Sequence, residues 1–308
     1  MDRERTDTSS QVSGTQVSGT TRLTALLGSP VAHSLSPLLQ NEAFRLVGID
    51  CRYFCFDIDE ERLPGAVDAL ICLQAAGWNC TMPDKYAMAK LCDELDPEAA
   101  FMQSVNTVKN VDGYLIGYST DGAGFVRELA SVGTSPAGKK ITLLGAGGAA
   151  RAILTRSALE GAEAIRVFNR RGEHFTQTEE LAGRLAEKSH CRITLSDYSS
   201  MQALKDSIAE SDILVNATSV GMGRASEECL IPDAGYFHPG LTVADIIYSP
   251  LRTKLLRMAS EAGCAACNGV SMLVGQGAES FRIWTGKEMP VEQVTKVLEK
   301  EIRRRMQQ

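Results

Sequence analysis

The run Lys140-Ile141-Thr142-Leu143-Leu144-Gly145-Ala146-Gly147-Gly148-Ala149-Ala150 constrains the fold more than any other part of the chain. An apolar strand runs straight into a glycine-rich turn, and residues 151–159 behind it have helical composition. Gly145 permits a tight turn, Gly147 lets backbone approach a pyrophosphate, and the small Ala150 allows the helix to pack close to the strand. The helix N-terminus would then offer unpaired N–H groups and a positive dipole end to phosphates. Glycine clusters also make ordinary turns, but a position between strand and helix favours a dinucleotide site.

The segments around this turn repeat the pattern. Strands are expected over 140–144, 164–168, 213–216 and 242–246, with helical stretches such as 151–161 and 253–263 between them, which is a Rossmann-like half. The second strand ends in Asn169-Arg170-Arg171, about where an adenosine ribose should lie. An arginine there accommodates a 2'-phosphate and an acidic residue bonds a 2'-hydroxyl, so Arg170 and Arg171 favour NADP while the nearby Glu173 keeps NAD in play. Residues 271–284 and 291–305 read as closing helices, and a helix that returns to the first half of the chain would tie the two halves together.

With 308 residues the chain is long enough for two cores. A net charge of -6 offers no basic field for a phosphodiester backbone, so small molecules are the expected partners rather than nucleic acid. No apolar run approaches the length of a membrane span, and the N-terminus lacks the apolar core of a secretory signal. Nine scattered cysteines fit thiols kept reduced, and a cytoplasmic location is expected. The lone Cys264-Ala265-Ala266-Cys267 has redox or metal-site spacing, yet no second such pair or histidine pair accompanies it. Two small buried residues at the start of a strand are the simpler reading, and no metal is expected. Residues 1–20 are polar, lack aromatics and duplicate Gln-Val-Ser-Gly-Thr, so a mobile tail is expected there.

The first half also alternates, with strands expected over 23–28, 51–57 and 75–81 and helices over 37–47 and 61–73. Strands over 104–109 and 114–119 flank an Asp112-Gly113 hairpin signal that would carry Asn106 and Asp121 toward one end of a sheet. In His33-Ser34-Leu35-Ser36-Pro37, one serine suits a helix N-cap and Pro37 the first helical position, which frees the other hydroxyl for a ligand carboxylate. A single lysine is ordinarily a solvated charge. Lys85, however, follows Thr81 at a strand end and Pro83 in a loop, and Asp121 sits in the turn Ser119-Thr120-Asp121-Gly122. Such a pair can bond a hydroxyl under oxidation and exchange its proton while hydride leaves to a nicotinamide.

These motifs resemble the shikimate dehydrogenase family. The matching blocks are Gly28-Ser29-Pro30 with His33 to Pro37 and Asn41, then Gly77-Trp78-Asn79-Cys80-Thr81-Met82-Pro83-Asp84-Lys85, Val105-Asn106-Thr107 and Thr120-Asp121-Gly122-Ala123-Gly124. In the second half they are the glycine turn, Asn216-Ala217-Thr218-Ser219-Val220-Gly221-Met222, Asp245-Ile246-Ile247-Tyr248-Ser249-Pro250, and Gly269-Val270-Ser271-Met272-Leu273 with Gln276-Gly277. The resemblance implies an α/β fold with a substrate domain over 21–122 and 272–308 and an NAD(P)-binding Rossmann domain over 123–271. It implies reversible, NADP-linked reduction of 3-dehydroshikimate to shikimate, with Lys85 and Asp121 as the catalytic pair. Ser34, Ser36 and Tyr248 would hold the carboxylate, and Thr81, Asn106, Thr120 and Gln276 the rest of the substrate. Gly145, Ala146, Gly147, Gly148 and Ala149 would meet the pyrophosphate, Asn169, Arg170 and Arg171 the adenosine end, and Thr218, Gly269 and Met272 the nicotinamide side.

Gln40, Cys80 and Ser119 depart from the usual His, Val and Asn of the family, and none removes a catalytic group. The Phe168-Asn169-Arg170-Arg171 run and Tyr53, similar to a substrate-side tyrosine, also fit the branch that accepts quinate and either NAD or NADP. A non-catalytic ligand sensor on the same fold should lack part of the Lys and Asp pair, and both residues are present. Whether the chain forms a homodimer is left open by the sequence.

Overall fold

A computed structural model describes residues 17–307. Two six-stranded sheets form around separate stretches of the chain. The first contains β1 (Arg22–Gly28), β2 (Cys51–Asp57), β3 (Gly77–Cys80), β4 (Glu94–Leu95), β5 (Thr107–Val111) and β6 (Tyr114–Tyr118), in the order β2-β1-β3-β5-β6-β4. β1 runs parallel to β2 and β3, whereas β5 is antiparallel to β3 and β6. Asp112 and Gly113, both at positive φ, close the β5–β6 hairpin, so the dipeptide acts as expected.

Helices cover this sheet: α1 (Ser36–Val47), α2 (Leu63–Cys72), and the short α3 (Lys85–Leu91) and α4 (Pro97–Met102). The helix α5 (Asp121–Ala130) then leads into the second sheet. Its strands are β7 (Lys140–Leu144), β8 (Ala164–Asn169), β9 (Arg192–Asp197), β10 (Ile213–Asn216), β11 (Thr242–Asp245) and β12 (Ala265–Asn268), all parallel, in the order β12-β11-β10-β7-β8-β9. That is the doubly wound Rossmann order, with its topological switch point between β7 and β10. The connecting helices are α6 (Gly148–Leu159), α7 (Glu173–Lys188), α8 (Met201–Ala209) and α9 (Lys254–Glu261).

The closing helices α10 (Gly269–Thr285) and α11 (Val291–Met306) return to the first sheet. Val294, Leu298 and Ile302, four residues apart on α11, are buried in one cluster with Leu39, Phe44, Val274 and Phe281. Each such side chain contributes roughly 1.5–3 kcal/mol by leaving water, which fixes the last helix on the core beside the first sheet. Trp284 Nε1 donates to Val108 O at 2.9 Å and locks α10 onto β5. Between the two sheets, α5 and α10 cross so closely that a Cβ on Gly124 would lie 2.6 Å from Met272 O.

Several elements differ from expectation. The third strand is Gly77–Cys80, shorter than 75–81, and α3, α4, β4, α5 and β9 add to the elements that the sequence pattern marks. Neither Ser34 nor Ser36 caps α1 through its side chain; the N-cap is Leu35 and Ser34 Oγ instead accepts from Ser36 N at 3.1 Å. Most of the expected mobile tail lies outside the described residues. Its last part is tied down, because Thr20 and Thr21 hydroxyls donate to Asp50 at 3.0 and 2.7 Å. Cys264 and Cys267 are both buried and donate to separate carbonyls, of His238 and Val243.

Candidate active site

Lys85 opens α3 and Asp121 opens α5, so the loops after β3 and β6 deliver them from neighbouring parts of the first sheet. Lys85 Nζ donates to Asp121 Oδ2 at 2.6 Å, with side chains 18% and 16% exposed. Both line a cavity of about 240 Å³. Behind them Asn106 Nδ2 donates to Asp121 Oδ1 at 2.8 Å and to Thr120 Oγ1 at 3.0 Å, while Asn106 Oδ1 accepts from Thr120 N at 2.9 Å. The backbone donor fixes which way the Asn106 amide faces, and so aims its NH₂ at Asp121.

The cavity wall also includes Ser34, Ser36, Thr81, Asn106, Tyr248, Gln276, Gly269 and Met272. Burial pushes the Tyr248 hydroxyl above its ordinary range, which keeps it a donor. Gly28 makes room for Thr81, since a Cβ there would fall 2.3 Å from Thr81 Cγ2. Two expected substrate contacts stand elsewhere. Tyr53 is 2% exposed and donates to Asn79 Oδ1 at 2.8 Å, and Thr120 is 1% exposed and bonded to Asn106, so both support the wall from behind. Sequence reasoning assigned no role to Asn79 or Ser280. Asn79 Nδ2 donates to Ser280 Oγ at 3.0 Å and to Thr107 Oγ1 at 2.9 Å, linking β3, β5 and α10 under the pocket.

The glycine turn lies at the C-terminal end of β7, at the switch point. Gly145 has φ +108°, and a Cβ there would meet Ala217 O at 2.7 Å; nothing lies within 4 Å of a Cβ on Gly147 or Gly148. The backbone between Ala146, which precedes α6, and Ala149 in its first turn is therefore open to the approach of a pyrophosphate. Asn169, Arg170 and Arg171 stand at the end of β8, Thr218 beyond β10, and Gly269 with Met272 in the first turn of α10. Arg171 approaches Asp197 at 3.9 Å and its guanidinium lies 5.2 Å from the Phe175 ring. Arg170 is exposed and has no polar side-chain partner among the described residues, whereas Glu173 accepts from Gln177 Nε2 at 2.9 Å. The residues present therefore suit a dinucleotide.

Comparison with known proteins bears on this geometry. Residues 26–108 match the shikimate dehydrogenase substrate binding domain, 128–228 match shikimate / quinate 5-dehydrogenase, and 269–299 match the shikimate 5'-dehydrogenase C-terminal domain. A shikimate dehydrogenase (NADP(+)) of Alkaliphilus metalliredigens is 44% identical over 92% of this chain and 98% of its own. The chain belongs to the shikimate dehydrogenase family. Another family member, the quinate/shikimate dehydrogenase of an Escherichia coli strain, is 42% identical over 90% of this chain and 96% of its own. The Listeria monocytogenes shikimate 5-dehydrogenase, solved with shikimate and NAD, superposes with a TM-score of 0.89 at 41% identity, covering 92% of this chain and 98% of that one.

In this family member the loops over the second sheet are held by one buried carboxylate. Asp245 Oδ1 accepts from Asn216 Nδ2 at 3.0 Å and Ile247 N at 3.2 Å, and Oδ2 accepts from the Thr253 hydroxyl at 2.7 Å. Burial outweighs those donors and pushes Asp245 up to about 6. Between its ordinary 3.8 and about 6 the folded state binds the proton that the unfolded chain releases, so this group adds stability as pH falls and loses it as pH rises through 6. Asp245→Asn should remove that component, flattening the urea midpoint between those pH values. An unaltered pH slope would show that Asp245 does not titrate there.

Proposed function

We propose that this protein catalyses the reversible, NADP-linked reduction of 3-dehydroshikimate to shikimate. The observation that carries the reading is the Lys85–Asp121 pair, 2.6 Å apart in a cavity also lined by Gly269 and Met272. When bound, the nicotinamide supplies or accepts the hydride. Lys85 Nζ gives a proton to the substrate carbonyl oxygen during reduction and takes the hydroxyl proton during oxidation. Asp121 holds the ammonium, and Asn106, expected from the resemblance to bond substrate, has both amide protons committed to Asp121 and Thr120 and so holds Asp121 instead. Ser34, Ser36 and Tyr248 take the carboxylate, and Thr81 and Gln276 bond ring hydroxyls. Tyr53 and Thr120 act from behind the wall.

The open backbone at Gly147 and Gly148 holds the pyrophosphate, and Arg170 faces the adenosine end. Arg170→Ala should weaken NADP binding by about tenfold to a hundredfold, the scale of one charged hydrogen bond, and leave NAD nearly unchanged. Equal losses for both cofactors in a fluorescence titration would remove Arg170 from the 2'-phosphate. The 42% identical quinate/shikimate relative favours a second reading, in which quinate and NAD are also accepted. Steady-state rates for shikimate and quinate, each with NAD and NADP, decide between them. Binding of shikimate without reduction of either cofactor would overturn the enzymatic reading.

A further inference from the structure

We propose that Arg151 is a positioning residue that couples the dinucleotide turn to the helix carrying Lys85, by way of Tyr86. The inference rests on the proposed reading of the cleft and adds a physical link between its two walls. Arg151 lies in the first turn and a half of α6, directly behind Gly147 and Gly148. Its guanidinium sits 4.9 Å from the ring centroid of Tyr86, the residue after Lys85 on α3. Nη1 donates to Gln177 Oε1 on α7 at 2.6 Å. One side chain thus touches the cofactor-side helix pair and the lysine-bearing helix of the other sheet.

Its placement is costly. Arg151 is only 7% exposed, and among the described residues its Nε has no partner and no carboxylate forms a salt bridge with it. A cation near a helix N-terminus also opposes the helix dipole. The Gln177 amide oxygen and the nearby charge of Glu173 offset part of that cost, the electron-rich face of Tyr86 offsets more, and the anion that the adjacent turn is shaped to hold would complete it. Phosphate at the turn therefore stabilises Arg151 where it meets Tyr86, and α3 becomes ordered with Lys85 on it. The contact does not stand alone. Arg156 of α6 reaches Glu98 of α4 at 3.4 Å, and Arg184 of α7 donates to Phe101 O at 3.3 Å, so the segment after Lys85 rests on a row of arginines from the Rossmann half.

Hydrogen exchange on the full chain tests the link without any turnover. In the cofactor-free protein, Arg151→Gln and Tyr86→Ala should each raise exchange across residues 85–91 several-fold, and Tyr86→Phe, which keeps the ring face, should match the parent. Saturating NADP should then slow exchange of 85–91 in the parent and in Tyr86→Phe but not in Tyr86→Ala. Kinetics should follow, with kcat for shikimate oxidation falling about tenfold in Tyr86→Ala and the Kd for NADP staying within about twofold. Unchanged exchange in both variants, or equal slowing by NADP in Tyr86→Ala, overturns the coupling. A tenfold weaker NADP complex in Tyr86→Ala also overturns it, by making the tyrosine a cofactor contact. A parent protein inactive with shikimate would instead defeat the proposed reaction, while the cofactor-free exchange still decides the link.

Discussion

Replacing Lys85 with alanine is expected to cut shikimate turnover by about 10² to 10⁴, the usual loss for a positioned proton donor, with a much smaller change in KM. The expectation follows from where the ammonium stands. It projects from the first residue of α3 into the cavity, 2.6 Å from Asp121, and the carboxylate is braced from behind by Asn106. Removing the ammonium leaves Asp121 able to accept a proton but leaves no acid to give one to a carbonyl oxygen. The pair is largely buried, so losing the ammonium leaves the Asp121 carboxylate with Asn106 as its remaining partner and lowers stability somewhat; a urea midpoint shows that the rates are read on folded protein. Lys85→Arg separates charge from acidity: guanidinium keeps the positive charge but releases its proton too reluctantly to serve, so turnover should stay low. Rapid-quench or steady-state rates at saturating shikimate read the effect directly. Parent-like turnover in Lys85→Ala would take the residue out of the mechanism.

The Lys85–Asp121 pair is legible in the sequence because both residues lie just beyond strand ends. Lys85 and Asp121 each follow a strand that reads clearly from its apolar residues, and parallel or hairpin pairing leaves few ways to arrange strand ends. The helices they begin were harder to see. α3 and α4 span seven and six residues, too few for an amphipathic period to show. α5 was obscured for another reason, since Asp121-Gly122-Ala123-Gly124 looks like a turn. Its glycines serve packing. A Cβ on Gly122 would meet Arg156 Cβ at 2.5 Å, and one on Gly124 would press on the backbone of α10.

The layering of the site was not legible either. Tyr53 lies within β2 and Thr120 at the N-cap of α5, and each turns its hydroxyl toward an asparagine rather than into the cavity. Register decides this: Thr24 pairs with Tyr53 while Leu26 pairs with Asn79, which stacks the tyrosine beneath the asparagine across β1. Those offsets depend on contacts between residues 26 positions apart, which no local pattern encodes. The role of Gly269 shows the same limit. The resemblance puts it on the nicotinamide side, and the structure gives a packing reason for glycine there as well.

Gly269→Ala should destabilise the protein by about 3 kcal/mol or more and abolish most activity, because the added methyl has nowhere to go. A Cβ at this position would lie 1.9 Å from Ile246 O and 2.3 Å from its carbonyl carbon. These are backbone atoms at the end of β11, held by Ile246 N to Asn216 O and by Gly269 N to Ile247 O, so no side chain can rotate aside. Either the strand end or the start of α10 must shift. Ile246, Tyr248 and Met272 line the cavity on those two segments, so relief of the clash displaces the wall on the nicotinamide side. Gly148→Ala is the informative contrast. A Cβ there would meet nothing within 4 Å, and at the first position of α6 alanine restricts the unfolded chain more than glycine does, so stability should hold or rise while cofactor affinity falls. Urea midpoints paired with NADP titrations separate the two cases. A parent-like midpoint for Gly269→Ala would mean that β11 and α10 slide apart freely, and the cavity could not then hold a ring against Lys85 with fixed geometry.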